Sequence, residues 1–164
     1  MTAPIARPAA QPGNTVDPYR AYGFKLLINN IAEGHFTEVT GLGVQVERIS
    51  YREAGNQSVV RAIPGRVTYP AVTLRYGLTD STDLWDWLMT AVEGKIQRRH
   101  ASIVMLDPSG TTEVLRWNLL HAWPQEWYGA PLDAMSRELA IETLVLAHEG
   151  LQREKGNGQA PAAA

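Results

Sequence analysis

The sequence predicts a mostly β protein with one flanking helix, and two observations carry that prediction. Apolar and polar residues alternate with period two along most of the chain, the pattern of half-buried strands. One stretch alone, Leu84 to Val92, changes to helical spacing. Strand candidates fall at about 22–29, 35–40, 44–53, 58–63, 67–76, 100–107, 112–120 and 137–148, with turn formers between most of them. The 164 residues suffice for one domain that buries roughly two thirds of its unfolded surface. No repeat of fixed period is present.

Met1 to Val16 contains Pro4, Pro8, Pro12 and Gly13 among small residues, too little apolar surface to offset the entropy of ordering, and reads as a flexible arm. In 44–53, Val44 and Val46 share one parity while Ile49 and Tyr51 share the other. The apolar side therefore switches near Arg48, as at a β-bulge or where a strand leaves one sheet for another. In 67–76, Val72, Leu74 and Tyr76 alternate with Thr73 and Arg75, giving one dry and one wet face. Thr79, Asp80, Ser81 and Thr82 supply N-cap oxygens for the helix, and Gly94 a stop. Leu84, Trp87, Leu88, Ala91 and Val92 form its apolar stripe, with Asp83, Asp86, Thr90 and Glu93 on another face. Asp107-Pro108-Ser109-Gly110 is a hairpin loop. The last strand has apolar residues at both parities, which suits the middle of a sandwich or a subunit interface.

Composition excludes several classes of function. The formal net charge of −2 announces neither nucleic acid nor membrane. No apolar run reaches bilayer length, and the leader, with Arg7 its one basic residue, lacks the apolar core of a secretion signal, so cytoplasmic origin is the expectation. With no cysteine there is no disulfide, thiolate metal site or thiol nucleophile. His35, His100, His121 and His148 are scattered, and no nucleophile elbow, phosphate loop or metal pair is present, so neither catalysis nor a cofactor is expected. Asp80, Asp83 and Asp86 read as caps and a solvated acidic face in preference to a cation site. Arg98, Arg99 and His100 form a local basic cluster, read as a solvated strand start or a contact to an acidic neighbour. Each tryptophan can bury about 150–250 Å², worth about 4–6 kcal/mol before entropy. Trp85, Trp87 and Trp117 are expected in a helix-on-sheet core with Leu84 and Leu88. Trp123 and Trp127, read as loop residues beside Pro124, Gly129 and Pro131, are expected either inside or against a neighbouring subunit.

A set of collinear motifs resembles the inner-tube subunits of contractile phage tails and of extracellular contractile injection systems. They are Asp17-Pro18-Tyr19-Arg20 before the strand Phe24 to Ile28, then Phe36-Thr37-Glu38-Val39-Thr40-Gly41-Leu42, Tyr51-Arg52-Glu53-Ala54-Gly55 and Pro64-Gly65. Gly77-Leu78-Thr79-Asp80 ahead of Leu84-Trp85-Asp86-Trp87 follows, with Arg116-Trp117-Asn118, Ala122-Trp123-Pro124 and the closing Ile141 to Gly150. The leader and the tail do not share the pattern. The resemblance divides the chain into an arm at 1–16, a tail tube domain at 17–153 and a flexible tail at 154–164.

The resemblance implies a two-sheet sandwich with one flanking helix that completes a large shared β-barrel in a ring. It implies six subunits per ring, and rings stacked into a rigid hollow tube within a contractile sheath. Implied partners are copies of the chain, the sheath protein, baseplate, spike and tube-terminating proteins, and an effector or DNA in the lumen, with no direct membrane anchoring. Assembly in the cytoplasm, in a phage tail or a phage tail-like particle open to release, is the implied location. Asp83, Asp86 and Glu93 are expected to face the sheath. Tyr51, Arg52, Glu53, Gly55, Arg61, Pro64, Gly65, Trp123 and Trp127 are expected between rings or subunits. The other reading of the residues is a monomeric β-sandwich module for a ligand or glycan.

Overall fold

The structure, a computed structural model, describes residues 23–29, 31–32, 36–52, 60–78, 80–135 and 137–156. The leader, the Asp17 to Arg20 motif, Glu53, Gly55 and Thr79 lie outside the described residues. The elements are β1 (Phe24–Ile28), β2 (Ile31–Ala32), β3 (Phe36–Thr40), β4 (Gln45–Arg52), β5 (Val60–Thr68), β6 (Val72–Gly77), α1 (Asp83–Val92), β7 (Arg99–Leu106), β8 (Glu113–Tyr128), β9 (Ile141–Ala147) and β10 (Gly150–Lys155).

All strand pairings are antiparallel. One leaf runs β2-β1-β7-β8 with β10 on the far side of β8, and the other runs β8-β9-β6-β3. Both leaves share β8, whose first half pairs with β7 and β10 and whose second half pairs with β9. The strand changes leaf at His121, which takes a left-handed φ of 51°. Folding the leaves together buries Leu26, Ile28, Ala101, Ile103 and Leu119 of the first against Val72, Leu74, Tyr76, Leu144 and Leu146 of the second. The two sheets do not close on themselves.

Helix α1 packs on β8. Trp87 anchors it, 1 % exposed, its indole N–H donating to the Gln97 carbonyl at 2.7 Å. At the far end, Gly94 adopts φ +77° and the Lys95 amide reaches the Thr90 carbonyl at 2.8 Å, a left-handed C-terminal stop. No side chain caps the backbone at Thr82, whose hydroxyl donates instead to the Asp86 carboxylate. Val92, read as part of the buried stripe, is 68 % exposed at the last position of the helix. Trp85, read as core, is 44 % exposed and stands edge-on to Trp127 with ring centroids 4.8 Å apart.

Several boundaries differ from the sequence expectation. The strand read at 67–76 is broken at Tyr69, Pro70 and Ala71, where Pro70 has no amide to donate, so 67–68 finish β5 and β6 begins at Val72. Pro64 and Gly65 do not turn the chain but lie inside β5. The strand read as ending at Leu120 continues to Tyr128, so Trp123 and Trp127 sit on a strand and not in a loop. Pro124 is tolerated there because it lies beside a register shift on a strand half paired on one side. Leu139 precedes β9 and is 83 % exposed. Strand β10, not anticipated, extends past Arg153 to Lys155.

Candidate functional site

The candidate site is a set of assembly surfaces: two strand edges, two outer faces, one hairpin and one acidic helix. The edges come first. Among the described residues, β3 pairs with β6 alone, and residues Trp123 to Tyr128 of β8 pair with β9 alone. The four-stranded leaf β8-β9-β6-β3 therefore has an open edge at each side, and such edges invite strand addition.

The two outer faces of the sandwich differ in chemistry. On the first leaf, Leu27, Val104 and Leu106 form a second buried cluster. Beside them Ser102 donates to the Asn118 amide oxygen at 2.7 Å. Arg116 makes a two-pronged contact with the Glu113 carboxylate at 2.7 and 2.8 Å, and Glu113 is 4 % exposed. That bond raises the affinity of Arg116 for its proton, against the effect of burial. On the second leaf the outer face is open and mostly polar. Glu38 and Arg75 face each other across β3 and β6 and pair at 3.0 Å while each stays about half exposed. Thr40, Thr73, Thr143, Val145, Glu126 and Tyr128 continue the same face by register. Tyr128 donates to Glu126 at 2.8 Å, which holds its hydroxyl proton above the usual phenol range. Inside the sandwich, burial pushes Tyr76 up to about 12, partly offset by a hydrogen bond with Trp127 and reinforced by Glu142.

Strands β4 and β5 form a two-stranded hairpin against which no other described helix or strand packs. Val46, Ile49, Tyr51, Val60, Ile63 and Val67 are all between 45 and 54 % exposed. The register shifts between Val46 and Arg48, so Glu47 alone faces Gly65 and Arg66, at the place where the apolar parity switches in the sequence. A β-carbon on Gly65 would sit 2.9 Å from Ile49 Cδ1. The hairpin leaves the sandwich through Gly41, whose φ of +86° and abutment on the Ala71 carbonyl leave no room for a side chain. Tyr51, Arg52, Arg61, Pro64 and Gly65 all belong to this hairpin.

Asp83, Asp86 and Glu93 are exposed. Asp83 and Asp86 accept from Ser81 and Thr82, and Glu93 lies 3.7 Å from Lys95. Leu84 packs against the core from a half-buried position, as does Trp117, and Leu88 is half-buried.

The fold also collects residues that the sequence leaves scattered. His100 and His121 come within 5.5 Å, yet no group of three metal-binding side chains occurs among the described residues. His148 is buried with Nδ1 against the Gly150 carbonyl and Nε2 against that of Pro70, tying the β5–β6 link to the last strand. Arg98 pairs with Glu149 at 3.1 Å and Arg99 lies over the Trp87 ring, so the basic cluster is spent within the chain. Local sequence does not mark the contacts of His148 with Pro70, Arg98 with Glu149 or His100 with His121, which join residues far apart in the chain.

Comparison with known proteins gives this geometry its context. The tube of the PVC sheath-tube complex, an extracellular contractile injection system in its extended state, superposes with a TM-score of 0.76 at 23 % identity, covering 84 % of this chain and 92 % of that one. The tube-terminating cap of the anti-feeding prophage gives 0.80 at 21 %, covering 92 % and 99 %. Hcp1 from Flavobacterium johnsoniae gives 0.52 at 13 %, covering 81 % and 95 %. These likenesses show a shared fold. No curated protein matches the sequence. The profile of the family described as T4-like virus tail tube protein gp19 matches residues 20–152, and the chain therefore belongs to that tail tube family.

Proposed function

We propose that this structural tube subunit assembles by adding the β3 edge of one copy to the Trp123–Tyr128 edge of the next, so that the leaf β8-β9-β6-β3 becomes one sector of a shared barrel. The observation that carries this reading is a four-stranded leaf open at both edges whose outer face is wet. Closure pairs the edges and leaves no strand exposed. The face bearing Thr40, Thr73, Arg75, Thr143 and Tyr128 then lines a water-filled lumen, and six copies close the ring. The first leaf, whose outer face carries the buried Leu27–Val104–Leu106 cluster, lies outside.

The role is mechanical and not catalytic. Rings stack through the β4–β5 hairpin, the sheath docks on Asp83, Asp86 and Glu93, and baseplate and terminating proteins cap the ends. The PVC and anti-feeding prophage likenesses come from a sheath-tube complex, a baseplate and a tube-terminating cap, which supports these partner classes. An effector or DNA passes along the lumen, and the particle assembles in the cytoplasm before any release. No helix among the described residues is long and apolar enough to cross a membrane.

Electron microscopy of the purified chain across a concentration series tests the reading. Six-fold rings and tubes that grow with concentration are expected; monomers alone at high concentration, with baseplate components added, would overturn it in favour of the monomeric ligand module. Changing Asp83, Asp86 and Glu93 together to Lys should leave tubes intact and abolish sheath binding, since exposed charges of this kind govern association and its salt dependence. Normally sheathed particles from that variant would remove the helix from the sheath interface.

A further inference from the structure

Among the described residues, two other than glycine take a left-handed φ, Asn29 at 50° and His121 at 51°. Both adjoin His100. The Asn29 amide donates to the His100 carbonyl at 2.9 Å, and the His121 ring lies 5.5 Å from the His100 ring, tilted by 47°. Register explains the meeting. Arg99 pairs with Ala122 and Ala101 with Leu119, so His100 alone faces Leu120 and His121, a bulge on β8. A bulge re-aims a side chain, and this one brings the second imidazole to the first.

The pair is open to an incoming ion. His100 and His121 are both exposed, whereas Ala101 and Ala122 beside them are fully buried. The ring nitrogens of the pair make no hydrogen bond to a described residue. The cations next in sequence already have partners: Arg98 pairs with Glu149 at 3.1 Å, and Arg99, of opposite parity to His100, lies over the Trp87 ring. The Glu149 amide donates to the Leu120 carbonyl at 2.9 Å, which sets that ion pair beside the bulge. His148 does not compete, because both of its nitrogens face backbone carbonyls.

We propose that His100 and His121 together bind one divalent transition ion, of the class of Zn²⁺ or Ni²⁺, through a nitrogen of each ring. Imidazole suits these ions, whereas Mg²⁺ and Ca²⁺ take oxygen ligands. With metal–nitrogen bonds of about 2.0–2.1 Å at a tetrahedral angle, two imidazole centres stand about 5 Å apart. The spacing in the free chain is close to this, so small side-chain rotations complete the site. No third metal-binding side chain joins the pair among the described residues, and water fills the remaining positions. The ion ties β7 to β8 at the point where β8 passes from one leaf to the other and where the φ of His121 holds local strain. The inference does not depend on the tube reading.

Calorimetric titration of the full-length, untagged, metal-free chain with Zn²⁺ tests the site. Uptake of a single ion per chain is expected, with none of Mg²⁺ under the same conditions. His100→Gln should weaken binding roughly tenfold or more with unchanged circular dichroism. His121→Asn should do the same, and asparagine accepts the left-handed φ, so the fold is kept. His35→Ala should bind as the parent does. Zn²⁺ should also raise the melting temperature of the parent and not that of the double variant, because an ion held by the folded chain alone stabilises it. A parent chain that takes up no Zn²⁺ overturns the assignment. Affinity unchanged in both single variants means adventitious uptake elsewhere and overturns it too, as does an equal loss in His35→Ala.

Discussion

The two-leaf sandwich and the β4–β5 hairpin are built from the same residue types, yet one completes itself and the other does not. In the sandwich, Val72, Leu74, Leu144 and Leu146 are fully buried by strands of their own chain. In the hairpin, Val46, Ile49, Ile63 and Val67 are about half exposed and no other described helix or strand packs on them. A two-stranded ribbon without a packed face is marginal in water. The difference teaches where stability and assembly separate. Changes in the sandwich are expected to act on folding, and changes in the hairpin, on the proposed stacking, to act on association.

The largest expected effect is at the helix anchor. Trp87→Ala removes the largest fully buried side chain and an indole donor, leaving the Gln97 carbonyl unpaired. A loss of about 3–5 kcal/mol is expected, enough to lower the melting temperature by about 10 °C or more. Thermal unfolding of the unassembled subunit measures it. A shift of only 1–2 °C, roughly the effect of a surface substitution, would mean that the helix is not part of the folding core.

Glu113→Gln comes next, because it removes the two-pronged carboxylate held by the Arg116 guanidinium, 16 % exposed, and leaves Glu154 across the sheet as a weaker coulombic partner. Breaking such a pair from one side costs about 2–3 kcal/mol, less than a fully dry pair since Arg116 keeps some water. Denaturant titration checks this, and Glu113→Gln combined with Arg116→Met should recover most of the loss. No recovery in the double variant would place the cost elsewhere than in the broken pair.

The contrast between regions also explains how much could be read before the structure was known. Period-two alternation marks a strand when one face is dry, so Val72, Leu74 and Tyr76 were legible, whereas the irregularity that the sequence places near Arg48 of β4 has its extra residue on the partner strand, at Gly65 and Arg66. Alternation says nothing about which strands share a leaf. The continuation of β8 through Ala122, Trp123 and Pro124 was lost because a proline usually ends a ladder, and here the strand is paired on one side there. The exposure of Val92 and Trp85 depends on how far the helix overlaps the sheet, a tertiary fact that helical spacing does not encode. The contacts of His148 with Pro70 and of Arg98 with Glu149 join residues far apart in sequence, and local pattern cannot foresee them.

The hairpin provides the opposite test from Trp87. Ile49→Ser with Ile63→Ser changes two half-exposed residues that pair across β4 and β5, so the unassembled subunit should lose no more than about 0.5 kcal/mol. Axial growth should fail while rings persist, because the apolar contact to the next ring is gone. Tubes of normal length from this variant would sink the separation between the two regions. A melting temperature lowered as far as by Trp87→Ala would do the same from the other side.

The smallest effect distinguishes the β4–β5 hairpin from an exposed loop that needs no neighbour. Between β7 and β8, the Asp107 carboxylate accepts from the Ser109 hydroxyl at 2.6 Å and from the Thr111 and Thr112 amides at 3.0 and 3.1 Å. The Ser109 bond is the leading cause of a pKa lowered from 3.8 to about 2, with the amides adding to it. The folded value lies below the unfolded one, so the carboxylate's contribution is fully present above pH about 3.8 and is lost as pH falls towards 2. Exchange of the Thr111 and Thr112 amides should therefore accelerate between pH 4 and 2 beyond the intrinsic rate, with the core strands unaffected. In Asp107→Asn the same amides should be less protected at neutral pH and show no extra acceleration in that window. An unchanged profile would mean that the loop is held by its backbone alone. With the expected profile, a solvent-exposed turn is seen to satisfy its own polar groups, in contrast to the β4–β5 hairpin, whose half-exposed apolar side chains are the surface proposed for another copy.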